Sequence, residues 1–101
     1  MEIKVEQVDD AVVVSPKGRI DTNTAPEFEK IVNESFQENA SFVLDFKEVD
    51  YISSAALRIL LLLMKKCKAS QSEFKIIHVN EIVSEILEIT GFVDILNIEK
   101  D

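Results

Sequence analysis

The sequence contains very little of the residue types that build most covalent and catalytic sites. Its 101 residues include one cysteine (Cys67), one histidine (His78), two glycines, two prolines and no tryptophan. A single cysteine excludes an internal disulfide, and one cysteine with one histidine cannot form a cysteine–histidine metal site. Gly18 and Gly91 are too few to build a glycine-rich phosphate loop or a hydrolase nucleophile elbow. We therefore predict no catalytic residues, no metal and no cofactor.

An excess of positive charge and a long hydrophobic run are also missing. Eleven Lys and Arg residues are outnumbered by 19 Asp and Glu residues, so the formal net charge is −8. This charge repels phosphate backbones and anionic headgroups, which argues against nucleic acid and against direct membrane insertion. The longest apolar run, Ile59–Met64, is far shorter than the roughly 20 residues of a membrane helix, and the charged, alternating start is unlike a signal peptide. We expect a soluble, cytoplasmic protein.

Hydrophobic patterning is what the sequence has in quantity, with 47% hydrophobic residues. No repeat or low-complexity segment interrupts the chain, so we treat residues 1–101 as one domain. Alternation predicts a strand over 2–8, a turn at Asp9-Asp10 and a second strand over 11–15 that Pro16 ends. Further strands are predicted over 41–46 and 74–79, with a short last strand around Ile95, Leu96 and Ile98.

Three segments have apolar residues at helical spacing. A capping box at Thr24–Glu27 predicts the start of the first helix, and a second helix runs from about Ser54 to Ala69. Asn80 is predicted to cap a third helix, which Gly91 follows with a positive φ. The third helix has an apolar stripe formed by Ile82, Val83, Ile86 and Leu87. The order β-β-α-β-α-β-α-(β) predicts an α/β fold whose mixed, mostly parallel sheet begins with an antiparallel hairpin.

Reactive side chains outside these patterns have plainer interpretations. His78 near the end of an apolar strand is read as a structural or surface histidine. Lysines around Cys67 could lower its pKa somewhat, although a lone helical thiol is most often a packed residue. The turn carboxylates lack the spacing of a calcium loop and are read as solvated acids; they are Asp9, Asp10, Asp45, Glu48 and Asp50.

The segment 49–58, with the sequence VDYISSAALR, is the most informative stretch. A strand and a short loop lead to Ser53 and Ser54, where the next helix begins. Either hydroxyl could cap this helix, which is the purely structural interpretation. A phosphate at the same position would meet free N–H groups and the positive end of the helix dipole, which makes the position a candidate switch.

The helix that follows admits two interpretations. Leu57, Leu60, Leu61 and Met64 make one apolar stripe, which Ile59, Leu62 and Leu63 widen beyond what a sheet requires. A helix wedged between two others in the core would explain the extra width. Alternatively, Arg58 and Leu62, four residues apart, help form an edge that faces a partner.

Four segments in register resemble the anti-sigma factor antagonists, the bacterial members of the STAS domain family. The resemblance covers nearly the whole chain and rests on 18–21 (GRID, followed by Thr24-Ala25), 42–46 (FVLDF), 49–58 and 89–92 (ITGF). It implies a single STAS-like domain over 1–101, with the helices packed mainly on one face of the sheet. It also implies a non-enzymatic regulator of sigma-factor-dependent transcription that works by partner switching.

In that family an anti-sigma factor serine kinase phosphorylates the antagonist, and a metal-dependent phosphatase reverses the modification. Alignment on Leu57 places the phosphoacceptor at Ser54, with Ser53 as the alternative, and Asp21 on the kinase-binding face. The resemblance implies a partner-binding set of Asp21, Thr22, Ser53, Ser54, Ala55, Arg58 and Leu62. Ser53 stands where Asp is common and Ala56 where Gly is usual, and Asp21 itself is expected to be solvated and to add little stability. The alternative function is a non-phosphorylated STAS scaffold in a transporter or other signalling complex.

Overall fold

A computed structural model describes residues 1–100 and gives the chain three helices and six strands. The helices are α1 (Ala25–Ser35), α2 (Ser54–Ala69) and α3 (Glu81–Ile89), and a short 3-10 turn follows at Phe92–Asp94. The strands are β1 (Ile3–Val8), β2 (Ala11–Ile20), β3 (Ser41–Asp45), β4 (Glu48–Ile52), β5 (Phe74–Val79) and β6 (Ile98–Lys100).

The strands form one mixed sheet, and the predicted α/β class is confirmed. The order is β1-β2-β3-β5-β6, with β4 paired to β2. Only the β1–β2 pair is antiparallel, and the other pairs are parallel. Val14, Leu44 and Ile76 share one face of neighbouring strands and are fully buried. Since side chains from α1, α2 and α3 belong to the same core, the helices cover mainly this face.

The second strand is twice as long as predicted, and Pro16 does not end it. β2 has 10 residues and passes through Pro16, which pairs with Ile3 of β1. The N–H of Lys17 donates to Glu2 O in the β1 direction, so strand alternation turns the nitrogen of Pro16 the opposite way. On that side β3 pairs with β2 only up to Val14, and β4 begins at Lys17. Pro16 lies between the part of β2 that pairs with β3 and the part that pairs with β4. It is tolerated because neither strand pairs with β2 at this position, where proline has no N–H to donate.

Strand β4 was not predicted, because the segment before the two serines resembles a loop. Val49 and Ile52 are almost fully buried, whereas Asp50 between them is exposed. The strand pairs in parallel with the second half of β2, with a bulge between Gly18 and Arg19. Gly18 takes a φ of +96° at this bulge, a conformation that favours glycine. The pairing exists only because β2 continues beyond β3.

The start of α1 differs from the predicted capping box. Thr24 is the N-cap residue, but its side chain makes no capping hydrogen bond. Instead, the Thr24 hydroxyl donates to the backbone oxygen of Arg19 and accepts from the N–H of Asp21. The threonine therefore closes the turn before the helix rather than the first turn of the helix itself.

The last third of the chain confirms most predictions and corrects two. Asn80 accepts the N–H of Val83 and caps α3, and Gly91 has a φ of +80°. Ile82 was expected in the buried stripe but is 59% exposed, because it lies at the side of the helix rather than over the core. The last strand begins only at Ile98, and Ile95 lies exposed before it.

We predict that Asn80→Ala destabilises the fold by about 2 kcal/mol and lowers Tm by roughly 8–16 °C. The substitution removes the cap of α3 and also the hydrogen bond from Asn80 Nδ2 to Val49 O, at 2.7 Å. Thermal denaturation followed by circular dichroism measures the change. Asn23→Ala is the matched control, because the Asn23 side chain is exposed and makes no hydrogen bond within residues 1–100. Equal Tm values for the two variants would contradict the assigned role of Asn80.

Candidate functional site

The candidate site lies where β2 and β4 end. Ile20 pairs with Ile52 as the last pair of the two strands, and the N–H of Ser53 donates to Ile20 O at 2.9 Å. Carboxyl ends of parallel strands meet at one edge of a sheet, which is where open α/β folds place their sites. The turn that begins at Asp21 and the start of α2 are therefore neighbours.

Ser53 and Ser54 have different surroundings. Ser53 is the N-cap of α2: its hydroxyl accepts the N–H of Ala56 at 3.4 Å, and its carbonyl accepts the N–H of Leu57. Ser54 is the first residue of the helix, is exposed, and its hydroxyl makes no hydrogen bond within residues 1–100. The structural interpretation thus applies to Ser53, whereas modification of Ser54 stays a prediction. Ser53 supports the helix and Ser54 is accessible to modification.

A row of exposed side chains runs along α2 from Ser54. Ser54, Arg58, Leu62 and Lys66, hereafter the Ser54 ridge, follow one another at intervals of four residues, and all four are exposed. Leu62 is 48% exposed. Lys66 lies over the ring of Phe36, with 4.5 Å from Nζ to the ring centroid. Apart from Ala69 at the end of the helix, the other apolar residues of α2 are buried or half-buried. Most of the wide stripe therefore belongs to the core, and Leu62 is its large exposed member.

Two shallow grooves separate this ridge from α1. One, of about 260 Å³, brings together three predicted partner-binding residues, Thr22, Ala55 and Arg58. The other, of about 100 Å³, is lined by Leu62 and Lys66 among others. Glu29 of α1 lines both grooves and was not singled out from the sequence, because an exposed acid on a helix gives no distinguishing signal. The two grooves bring together four of the seven predicted residues, whereas Asp21, Ser53 and Ser54 line neither groove.

Asp21 organises the turn that leads into α1. Its Oδ1 accepts the N–H of Asn23 at 2.9 Å, the N–H of Thr24 at 3.1 Å and the Thr24 hydroxyl at 3.3 Å. The Asp21 side chain is 31% exposed. Asp21 is therefore not merely solvated, because its carboxylate accepts the N–H groups of the turn. Its small contribution to stability stays a prediction.

The same contacts set the charge of Asp21. The hydrogen bonds from the N–H groups of Thr24 and Asn23, in that order, lower the pKa of Asp21, and the Thr24 hydroxyl and the Arg19 guanidinium act in the same direction. Burial raises the pKa of Asp21, with an effect smaller than that of the two N–H groups but larger than that of the Thr24 hydroxyl or of Arg19. Asp21 is thus held as a carboxylate at the edge of the candidate surface.

Arg19 and Tyr51 extend this surface and were not predicted as site residues. They pair across β2 and β4, and the Arg19 guanidinium lies 4.4 Å from the centroid of the Tyr51 ring. Arg19 Nε is also 3.9 Å from Asp21 Oδ2. Arg19 belongs to the motif segment 18–21 and Tyr51 to the motif segment 49–58. Only the register of β2 against β4 shows that the two residues meet, and β4 was not predicted.

The other reactive side chains do not join the site. Burial raises the pKa of the Cys67 thiol, and the opposing effect of Lys66 is smaller, so the expected lowering by neighbouring lysines is wrong. His78 takes a φ of 58° where the pairing of β5 with β6 is irregular. Within residues 1–100 no group of three or more His, Cys, Asp or Glu side chains is placed to hold a metal ion. In the same range no helix is long and apolar enough to cross a membrane.

Comparison with known proteins identifies the family that this fold and surface define. The STAS domain family model matches residues 2–101, and the chain belongs to this family. The chain is 32% identical over 101 residues to the anti-sigma-B factor antagonist of Listeria monocytogenes, covering 98% of this chain and 87% of the relative. It is 25% identical over 103 residues to the anti-sigma-B factor antagonist of Staphylococcus epidermidis, covering 99% and 95%.

Solved structures show the same fold. An anti-sigma factor antagonist from Mycobacterium paratuberculosis superposes with a TM-score of 0.88 at 24% identity, covering 97% of this chain and 84% of that one. The unphosphorylated form of the anti-sigma factor antagonist SpoIIAA gives a TM-score of 0.82 at 14% identity, covering 99% and 88%. At these identities the likeness concerns the fold.

We predict that Asp21 contributes to the pH dependence of stability. Because its folded-state pKa is lowered, the contribution is present above the unfolded value of about 3.9 and is lost as pH falls through the folded value. Asp21→Asn should therefore lose less stability than the parent when pH is lowered below about 4. Urea midpoints measured in steps from pH 7 downwards test this expectation.

Asp50→Asn is the matched control for this titration. It removes an exposed carboxylate that makes no hydrogen bond or ion pair within residues 1–100, and it should follow the parent profile. If Asp21→Asn and Asp50→Asn have the same profile, the hydrogen bonds of Asp21 do not stabilise its charged form.

Proposed function

We propose that this protein is an anti-sigma factor antagonist that works by partner switching. In its unphosphorylated form it captures an anti-sigma factor that is also a serine kinase, and so frees the sigma factor for transcription. Membership of the STAS family and similarity to anti-sigma-B factor antagonists support this function. The exposed, unbonded hydroxyl of Ser54 beside a capping Ser53 is the single observation that carries it.

Phosphoryl transfer to Ser54 inactivates the antagonist. Ser54 Oγ forms a bond to the γ-phosphorus of ATP in the kinase, the bond to the bridging oxygen of ADP breaks, and the hydroxyl proton is released. A metal-dependent serine phosphatase then hydrolyses the ester, returning the hydroxyl and inorganic phosphate. The antagonist itself supplies no catalytic group and acts as a binding protein in the cytoplasm.

The start of α2 can accept the phosphate without loss of the fold. The first turns of α1 and α3 contain Glu27 and Glu81, whereas the first turn of α2 contains no acid. A negative group there interacts favourably with the helix dipole, by roughly 0.3–1 kcal/mol at an exposed position. The effect of phosphorylation therefore appears at the partner interface.

The partner-binding surface consists of the turn at Asp21 and Thr22 together with the Ser54 ridge. Its grooves offer the partner Leu62 as an apolar contact and both Arg58 and Glu29 as charged contacts. Ala56 stands where glycine is usual, but its methyl group is fully buried. That substitution therefore does not change the surface presented to the kinase.

We expect incubation with the cognate kinase and ATP to add one phosphate to the parent protein, and Ser54→Ala to abolish the addition. Ser53→Ala should still be phosphorylated, although loss of the cap lowers its stability by about 1 kcal/mol. Intact-protein mass spectrometry measures the product. The opposite pattern would move the acceptor to Ser53, and no modification of the parent would favour a non-phosphorylated scaffold.

We also expect phosphorylation to weaken kinase binding more than a hundredfold, which corresponds to about 3 kcal/mol. A dianion replaces a small hydroxyl on the surface that packs against the kinase. Isothermal titration calorimetry at matched salt compares the two forms. Ser54→Asp should retain the circular dichroism spectrum of the parent and lose most binding, and equal affinities of the phosphorylated and unphosphorylated forms would contradict the switch.

A further inference from the structure

Arg58 lies one helical turn after Ser54, on the exposed side of α2. Both side chains are exposed on the Ser54 ridge, and within residues 1–100 Arg58 forms no ion pair within 4.0 Å. The carboxylate that shares its groove is Glu29 of α1. What distinguishes Arg58 from the other cations without an ion pair is its place one turn after Ser54 on the same exposed ridge.

Helix geometry directs Arg58 towards Ser54. Side chains of an α-helix lean towards its N-terminus, so a residue covers the surface over the preceding turn. Residues four apart have Cβ atoms about 5–6 Å apart, and the acid-first order of an acid–base pair is the more favourable one. Phosphoserine at 54 followed by arginine at 58 has this order. Ser53, five residues before Arg58, does not have this spacing, and its hydroxyl already caps the helix.

We propose that Arg58 binds the phosphate of phosphorylated Ser54 within the same molecule. This inference rests on the proposed function and specifies how the modification alters the surface. The guanidinium can offer two N–H groups to two phosphate oxygens. Phosphorylation then changes two features of the partner surface, since it adds a dianion at the start of α2 and withdraws the only cation of the first groove.

The pairing also explains how an acidic protein holds a further dianion on its surface. With a net charge of −8, most charged neighbours of a new phosphate are expected to repel it. Arg58 provides local compensation, so the phosphorylated state keeps the helix intact while its binding properties change. Arg58 is in this sense a positioning residue for the phosphate.

The test uses full-length protein with phosphoserine incorporated at position 54 during translation, so that no kinase is needed. Titration followed by phosphorus NMR gives the second pKa of the phosphate in the parent and in Arg58→Gln. A nearby cation favours the dianion, so we expect this pKa to be about 0.1–0.4 pH unit higher in Arg58→Gln. Lys65→Gln removes the same charge elsewhere on α2 and should match the parent. Arg58→Lys should recover part of the difference.

A second measurement excludes a merely structural effect of the substitution. Phosphorylation should raise Tm in the parent more than in Arg58→Gln, while the unphosphorylated forms of the two proteins have circular dichroism spectra of equal shape. Identical phosphate titrations in parent and Arg58→Gln would overturn the inference and leave the proposed function untouched. Failure of the kinase to modify either serine of the parent protein would instead overturn the proposed function, whatever the titrations show.

Discussion

The extension of β2 beyond the end of β3 is the constraint on which the rest of this structure depends. Its second half gives β4 a parallel partner, and the hydrogen bond from Ser53 N–H to Ile20 O completes the pairing. If β2 stopped at Pro16, β4 would have no edge to join. The Asp21 turn and the start of α2 would then have no fixed position relative to each other. Placement of the candidate surface is thus a matter of strand length.

The sequence predicts the helical elements and the class of the fold well, because their signals are local. α2 begins at Ser54 as expected, and the side chain of Asn80 caps α3 as expected. The errors in the strands concern pairing between distant residues. Pro16 is a strand breaker by local rules, and only the change of neighbour from β3 to β4 makes it acceptable inside a strand.

The residues of the candidate site also differ in whether local sequence or distant pairing reveals them. Family motifs identified Asp21, Ser53 and Ser54, and helical spacing identified Arg58 with Leu62. The contact between Arg19 and Tyr51, by contrast, depends on the register of two parallel strands. The capping role of Asp21 was missed because a carboxylate in a turn looks the same in sequence whether it is solvated or accepts hydrogen bonds.

The link between Asn80 and β4 has a consequence for how newly synthesised chains acquire this surface. The amide of Asn80 reaches the carbonyl of Val49 across 31 positions of sequence. A chain synthesised only as far as α2 therefore contains Ser54 but lacks the residue that holds the strand leading to it. This part of the fold thus needs β5 and the start of α3, which follow α2 in synthesis, before β4 is held by Asn80.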